Sequence, residues 1–234
     1  MNKSARAVAV INMKNLFAPY LITGICVGTI IANLIVDLAL ASKEIIVNNI
    51  IVGTGMYFYL LILTAPIFIP TRNFRRVFNL GGKRESFFWG SLAAYVIFAA
   101  AVSLINIVFF YLVDTLIVAK VPGIIGALNL IEVFGWSRYG FIAAFFQQFA
   151  FLFWVAAFIH TLSAAQGKWY GWAANVFVVA VPSVFVPIAV LRKAVVFFFN
   201  LIIFSHPALQ IASCLLIGFG LYWLSKPVLA RKAM

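Results

Sequence analysis

The sequence predicts an all-α polytopic membrane protein with about six transmembrane helices. Three observations predict it. The 234-residue chain is 65% hydrophobic and only 9% charged, whereas an ordinary soluble domain is about a quarter charged. Its mean hydropathy is +1.11. Its apolar stretches recur in long runs, and about twenty apolar residues suffice for a helix to cross a bilayer core. Five acidic and 17 basic residues cannot coat a soluble globule of this size.

Each element follows in order. Residues 1–15 carry Lys3, Arg6 and Lys14, which share about 80° of a helix and suggest a cytoplasmic interfacial segment. Span one covers residues 16–41. Ala39-Leu40-Ala41 has the form of a cleavage site, but the apolar stretch is too long for a signal segment, so a retained helix is expected. Within it Gly24 and Gly28 form a GxxxG pattern, which lets a neighbouring helix come close. Span two covers 49–69, with Pro66 and Pro70 marking its end. A polar loop, 71–87, follows. Span three covers 88–113 and opens on the interfacial cluster Phe87-Phe88-Trp89.

Residues 114–139 are mixed. The stretch 121–131 is short for a crossing and holds Pro122, Gly123 and Gly126, so an interfacial or partly re-entrant segment is expected. Span four covers 141–163, and a polar turn at 164–171 holds Lys168. Span five covers 172–191, with Pro182 and Pro187 inside it. Arg192 and Lys193 then interrupt the apolar run, leaving 194–204 too short to cross and best read as re-entrant. The last span covers 208–224. No linker or repeat divides the chain, so 1–234 reads as one transmembrane domain.

Six spans put both termini on one side. That side then holds Lys3, Arg6, Lys14, Arg72, Arg75, Arg76, Lys83, Arg84, Lys168, Lys226, Arg231 and Lys232. The other holds Lys43, Lys120, Arg138, Arg192 and Lys193. The bias makes the first side cytoplasmic, giving a multi-pass cell-membrane protein. The net charge of +12 therefore reads as membrane orientation rather than a nucleic-acid footprint, which would form a patch on a soluble face.

Few residues suit catalysis. The five carboxylates form no pair at helical spacing inside a span, His160 and His206 sit in separate segments, and the HExxH and GxSxG patterns are absent. Neither a catalytic centre nor a metal site is expected. Cys26 and Cys214 read as small buried hydrophobes. Gly82-Lys83 resembles the end of a phosphate loop, but Val77 stands where its first glycine belongs and Arg84 where its hydroxyl belongs. No nucleotide cofactor is expected on this chain. Asp37 is the most notable intramembrane charge, either a solvated outer-end residue or part of a translocation path. Gln147 and Gln148 in span four point about 100° apart, so at least one faces a partner helix or a cavity.

The loop after span two is sharper. Residues 71–78 suit two helical turns, with Phe74 and Phe78 on one side and Arg72, Arg75 and Arg76 flanking them. Asn79-Leu80-Gly81-Gly82 supplies a turn, and Lys83 and Arg84 lead back to the membrane. Paired aromatics with an arginine collar suit a docking knob.

From Phe78-Asn79-Leu80-Gly81-Gly82-Lys83-Arg84-Glu85 through Trp89-Gly90, the chain resembles the permease subunits of bacterial type-2 ABC exporters, the small six-span kind without a fused ATPase. The resemblance extends to the six-span layout, the basic N-terminal segment and the re-entrant piece before the last span. It implies two permease copies, identical or not, joined to two separate ATPase subunits that bind ATP and Mg. It further implies that the loop helix seats in a groove on the ATPase, and that cargo passes between the permeases. For small members the implied cargo is an amphipathic peptide, a lantibiotic or another envelope-active compound. Two other readings stay open: a non-transporting sensor or scaffold of an envelope-stress system, and a secondary carrier coupled through Asp37 or Glu132.

Overall fold

The computed structural model of the chain describes residues 3–41, 49–120, 124–166 and 168–230. Lys43, Pro122, Gly123, Arg231 and Lys232 lie outside the described residues. The described residues are almost entirely helical, with one two-stranded ribbon among them. The helices are α1 (Lys3–Lys14), α2 (Phe17–Ala41), α3 (Tyr59–Phe68), α4 (Phe74–Asn79), α5 (Arg84–Val108), α6 (Thr115–Lys120), α7 (Leu130–Val133), α8 (Gly140–Ala165), α9 (Trp169–Ala180), α10 (Ala189–Phe199) and α11 (Pro207–Ala230). The ribbon pairs β1 (Asn49–Val52) with β2 (Ile124–Leu128) in parallel. Among the described residues, five helical stretches are long and apolar enough to cross a membrane: Phe17–Leu40, Thr54–Asn79, Arg84–Ala119, Trp136–Ala165 and Pro207–Ala230. Two shorter arms, Trp169–Phe185 and Ala189–Phe204, meet at a bend of 116°.

Side-chain bonds sort the elements into two ends. At one end Ser4 Oγ lies 2.9 Å from Ser86 Oγ, and Arg84 donates to the carbonyl of Ala230. This end also holds α4 and most of the described lysines and arginines, so we call it the basic end. At the other, the ribbon end, Trp136 Nε1 donates to the Ile203 carbonyl at 2.9 Å, and the Tyr139 ring faces His206. Helix α11 therefore starts beside the start of α8 and finishes beside the start of α5. The two bent arms must carry the chain from the basic end back to the ribbon end. Each arm is about 25 Å long at 1.5 Å per residue, and a 116° bend leaves their far ends about 26 Å apart. That matches one hydrocarbon core of about 30 Å. The pair makes one net crossing, and both ends of the described chain share the basic end.

The sequence expectation of about six spans holds, with local corrections. Pro66 and Pro70 do not end span two. The helix continues through Pro66, and the missing donor at Pro70 is absorbed by a π-helical stretch, Ile69–Asn73, which hands the chain directly to α4. A π-turn widens the helix where a proline ring would strike the carbonyl one turn back. Span three runs past Asp114 to Lys120 through a second π stretch, Phe109–Asp114. The expected re-entrant segment at 121–131 is, in its described part, strand β2 followed by the start of α7. Nor do Arg192 and Lys193 interrupt a run or sit in the outer connection. They lie inside α10, whose Phe198 packs on Trp154 near the middle of α8 before the arm reaches the ribbon end. The separate re-entrant piece at 194–204 is thus the second half of one bent crossing.

Packing between helices in lipid rests on close contact and buried polar bonds. Helix α1 lies across α5 through Ala5, Val8, Ala9 and Asn12, an i, i+3, i+4, i+7 stripe. Lys3, Arg6 and Lys14 stay exposed. The crossing is close because Gly90 has no Cβ; one built there would meet the Ala5 carbonyl and the Val8 side chain at 2.8 Å. Asn12 Nδ2 donates to Ser91 Oγ at 3.0 Å beside it. A cysteine pair at Ser4 and Ser86 is expected to cross-link readily, and Gly90→Val is expected to abolish that cross-link by lifting α1. Gel-shift assay of the two double-cysteine chains checks this.

Candidate functional site

Two clusters of polar residues stand out, one at each end of the bundle. The first is the loop between spans two and three. Helix α4 turns sharply at Gly81, whose φ of +77° is a left-handed conformation that glycine adopts without strain. Phe74 is only 2% exposed and Val77 is buried with it. Phe74 packs edge-on against Phe87, with ring centroids 5.1 Å apart, and against Phe78 at 4.5 Å. Phe78 is half-buried, with the Arg84 guanidinium 5.8 Å from its ring centre. The paired phenylalanines are therefore not an outward knob, as their spacing suggested. They fasten α4 to the first turn of α5. The outward surface consists of Arg72, Arg75, Arg76, Asn79, Lys83 and Leu80, which is 76% exposed. Arg84 is exposed too, but it is already engaged with Ala230 and Phe78.

The second cluster was not anticipated in full. Near the ribbon end, Gln148 Nε2 donates to the Tyr59 hydroxyl at 2.6 Å, and Asn106 Nδ2 donates to the same hydroxyl at 2.9 Å. Asn106 and Asn129 exchange reciprocal amide bonds at 3.1 and 3.2 Å. Asn129 also caps α7 by accepting from the Ile131 amide. Beside them Asp114, 1% exposed, accepts from the Thr54 amide at 3.2 Å. The network ties α3, α5, α7 and α8 together below the ribbon. Gly53 and Gly55 allow it, since a Cβ on either would overlap Asn129 or Asn106. Replacing Asn106 with Leu is expected to lower the melting temperature measurably, because the Asn129 amide nitrogen loses its buried acceptor, at about 1–3 kcal/mol, while Tyr59 keeps Gln148. Restoring one partner less, as in Asn106→Leu with Asn129→Leu, is expected to cost less than the sum of the single changes.

The remaining sequence candidates divide. Gln147 and Gln148 are both fully buried. Gln148 joins the network, while only the backbone carbonyl of Gln147 accepts from Gln210 on α11, at 3.3 Å, and its buried side-chain amide makes no hydrogen bond among the described residues. Asp37 is half-exposed on α2 and belongs to neither cluster. Gly24 and Gly28 face open space, and no helix among the described residues packs into their groove. Glu132 is exposed. The sequence placed Asp114 at the start of the mixed segment 114–139 and gave it no role. The apolar run Leu116-Ile117-Val118-Ala119 just beyond it was the available signal. Among the described residues no group of histidine, cysteine or carboxylate side chains is arranged to hold a metal.

These features define a polytopic helical membrane protein with a basic, exposed helix at one end and a buried polar network at the other. Comparison with family models, curated proteins and solved structures finds no match to this chain.

Proposed function

We propose that the chain is the transmembrane subunit of an ATP-driven exporter of the type-2 ABC class, working with a separate ATPase. One observation carries this reading: α4 is built with two faces. Its inner face, Phe74 and Val77, is locked into the bundle against α5. Its outer face presents Arg72, Arg75 and Arg76 with the exposed Leu80. Such a helix receives force from a soluble partner and passes it to spans two and three together. The basic end holds Lys3, Arg6, Lys14, Arg72, Arg75, Arg76, Lys83, Arg84, Lys168 and Lys226, which favours a cytoplasmic placement in a cell membrane. A cytoplasmic ATPase then has access to α4.

A second permease copy fits the same reading. Helix α2 is barely buried, and α9 and α10 bury only Gly171 between them. Arg192 and Lys193 are exposed on that open arm. A cation in lipid is costly, by about 2.5–3.5 kcal/mol at a helix centre on insertion scales, so an aqueous path between two copies suits them. The cargo class remains the amphipathic peptide, lantibiotic or envelope-active compound that the resemblance implies.

The test is co-purification with a stand-alone ATPase encoded beside this chain. Stable capture, with ATP turnover residing in the ATPase alone, supports the proposal. Absence of any such partner, or ATP hydrolysis by the purified chain itself, contradicts it. Asp114 favours a second reading, a carrier coupled through a buried carboxylate. Under that reading Asp114→Asn abolishes proton-linked flux in liposomes without any ATPase; under the first, no such flux exists to abolish.

A further inference from the structure

A groove of about 1120 Å³ opens where α1 crosses α5 and the Leu80–Lys83 turn closes over them. Its two ends differ in chemistry. The rim at the basic end carries Lys83, with Ser4 and Ser86 beside it. The floor is apolar: Trp89, Leu92, Val96 and Ile97 run along one face of α5 at helical spacing, opposite Val8 and Ile11 of α1. From Ser86 to Ile97 that stripe rises about 16 Å. Half of a hydrocarbon core is about 15 Å deep. The groove thus has the depth of one leaflet, with its polar rim at headgroup level. The exposed Trp89 ring lies just below the rim, where an interfacial tryptophan belongs.

We propose that this groove holds one anionic glycerophospholipid, its phosphate on Lys83 and one acyl chain along the α5 stripe. Charge selects this occupant. Lys3 and Arg6 lie exposed on α1 and Arg84 on the first turn of α5, the two helices that wall the groove, whose lining itself holds Lys83 and Glu85, and the whole chain carries +12. Glu85 sits in the first turn of α5, where a carboxylate complements the helix start. A neutral alkyl chain would gain from the floor but nothing from the rim. A soluble phosphate would gain from the rim but leave the floor empty. The lipid joins α1 to the turn that follows α4, so its headgroup borders the outward arginine face. The inference stands apart from the transport proposal, since it needs neither an ATPase nor a second copy.

The experiment uses the full chain in phosphatidylcholine nanodiscs doped with a minority of acyl-brominated lipid. Quenching of Trp89 is isolated by subtracting the Trp89→Phe chain. Brominated phosphatidylglycerol is expected to quench more strongly than brominated phosphatidylcholine at equal dose, with a preference of about fivefold. Lys83→Gln is expected to remove most of that preference. Ala93→Phe and, from the opposite wall, Ala7→Phe are each expected to block the groove and lower quenching by both probes, with unchanged helical circular dichroism. Equal quenching by the two probes in the parent chain overturns the proposal, leaving ordinary annular lipid. Unchanged quenching in both groove-filling variants also overturns it. So does a cross-link at Trp89 to a second copy of the chain, which would mean that protein fills the space.

Discussion

If the proposed ATPase partner docks on α4, reversing two charges, Arg75→Glu with Arg76→Glu, is expected to abolish its capture while the chain still inserts and melts normally. Both side chains are exposed on the outer face of α4. The adjacent buried positions, Phe74 and Val77, are untouched, so the helix keeps its seat on α5. Arginines are over-represented among the residues that dominate protein interfaces, at about 2 kcal/mol or more each. Replacing two of them with carboxylates adds like-charge repulsion against any acidic groove that had received them. A loss of roughly a hundredfold or more in affinity follows from those magnitudes. The measurement is pull-down of the ATPase from detergent extract, with thermal unfolding of the variant as control. Normal capture by the doubly reversed chain would remove α4 as the docking element.

Phe74→Ala is expected to act differently, through stability. The ring is almost completely enclosed and touches Phe78 and Phe87. Removing a buried phenylalanine side chain costs about 3–5 kcal/mol where the surroundings cannot collapse. The neighbours here belong to two separate helices joined by a tight turn, so collapse is limited. The expected result is a chain that still inserts but unfolds at the basic end, with the 71–84 region becoming protease-sensitive. Phe78→Ala, at a half-buried site, is expected to cost less and leave the loop protected. Limited proteolysis in detergent separates the two. Equal protection of the Phe74→Ala chain and the parent would show that the ring does not hold α4 in place.

How much of this was legible beforehand depended on which physical signal each element carries. The long apolar runs fixed spans one, three and four, because lipid requires continuous hydrophobicity and leaves little ambiguity. The loop helix was legible through the arginines around Phe74 and Phe78. Its facing was not, since i, i+4 spacing says which residues share a face without saying what covers it. Pro66 and Pro70 misled because a proline signals a helix end in water, while a bundle with a π-turn absorbs it. The short apolar run Ile124–Leu128 was not legible as a strand because such stretches fit several elements equally. Asn106, Asn129 and Asp114 look unremarkable along the chain. They become a network only because spans separated by many residues bring them to one depth, which no local pattern reveals.

One consequence follows from the unbroken third span. From Arg84 to Ala119 it is 36 residues of helix, about 54 Å of rod at 1.5 Å per residue. A rod of that length exceeds a whole bilayer of about 40–45 Å and would act as a lever pivoting at its basic end. Tilting it by about 5° about the basic end would swing its far tip by about 5 Å. That throw is enough to part the two strands, whose normal spacing is about 4.8 Å. A small push on one side of the membrane would thus arrive as a latch opening on the other.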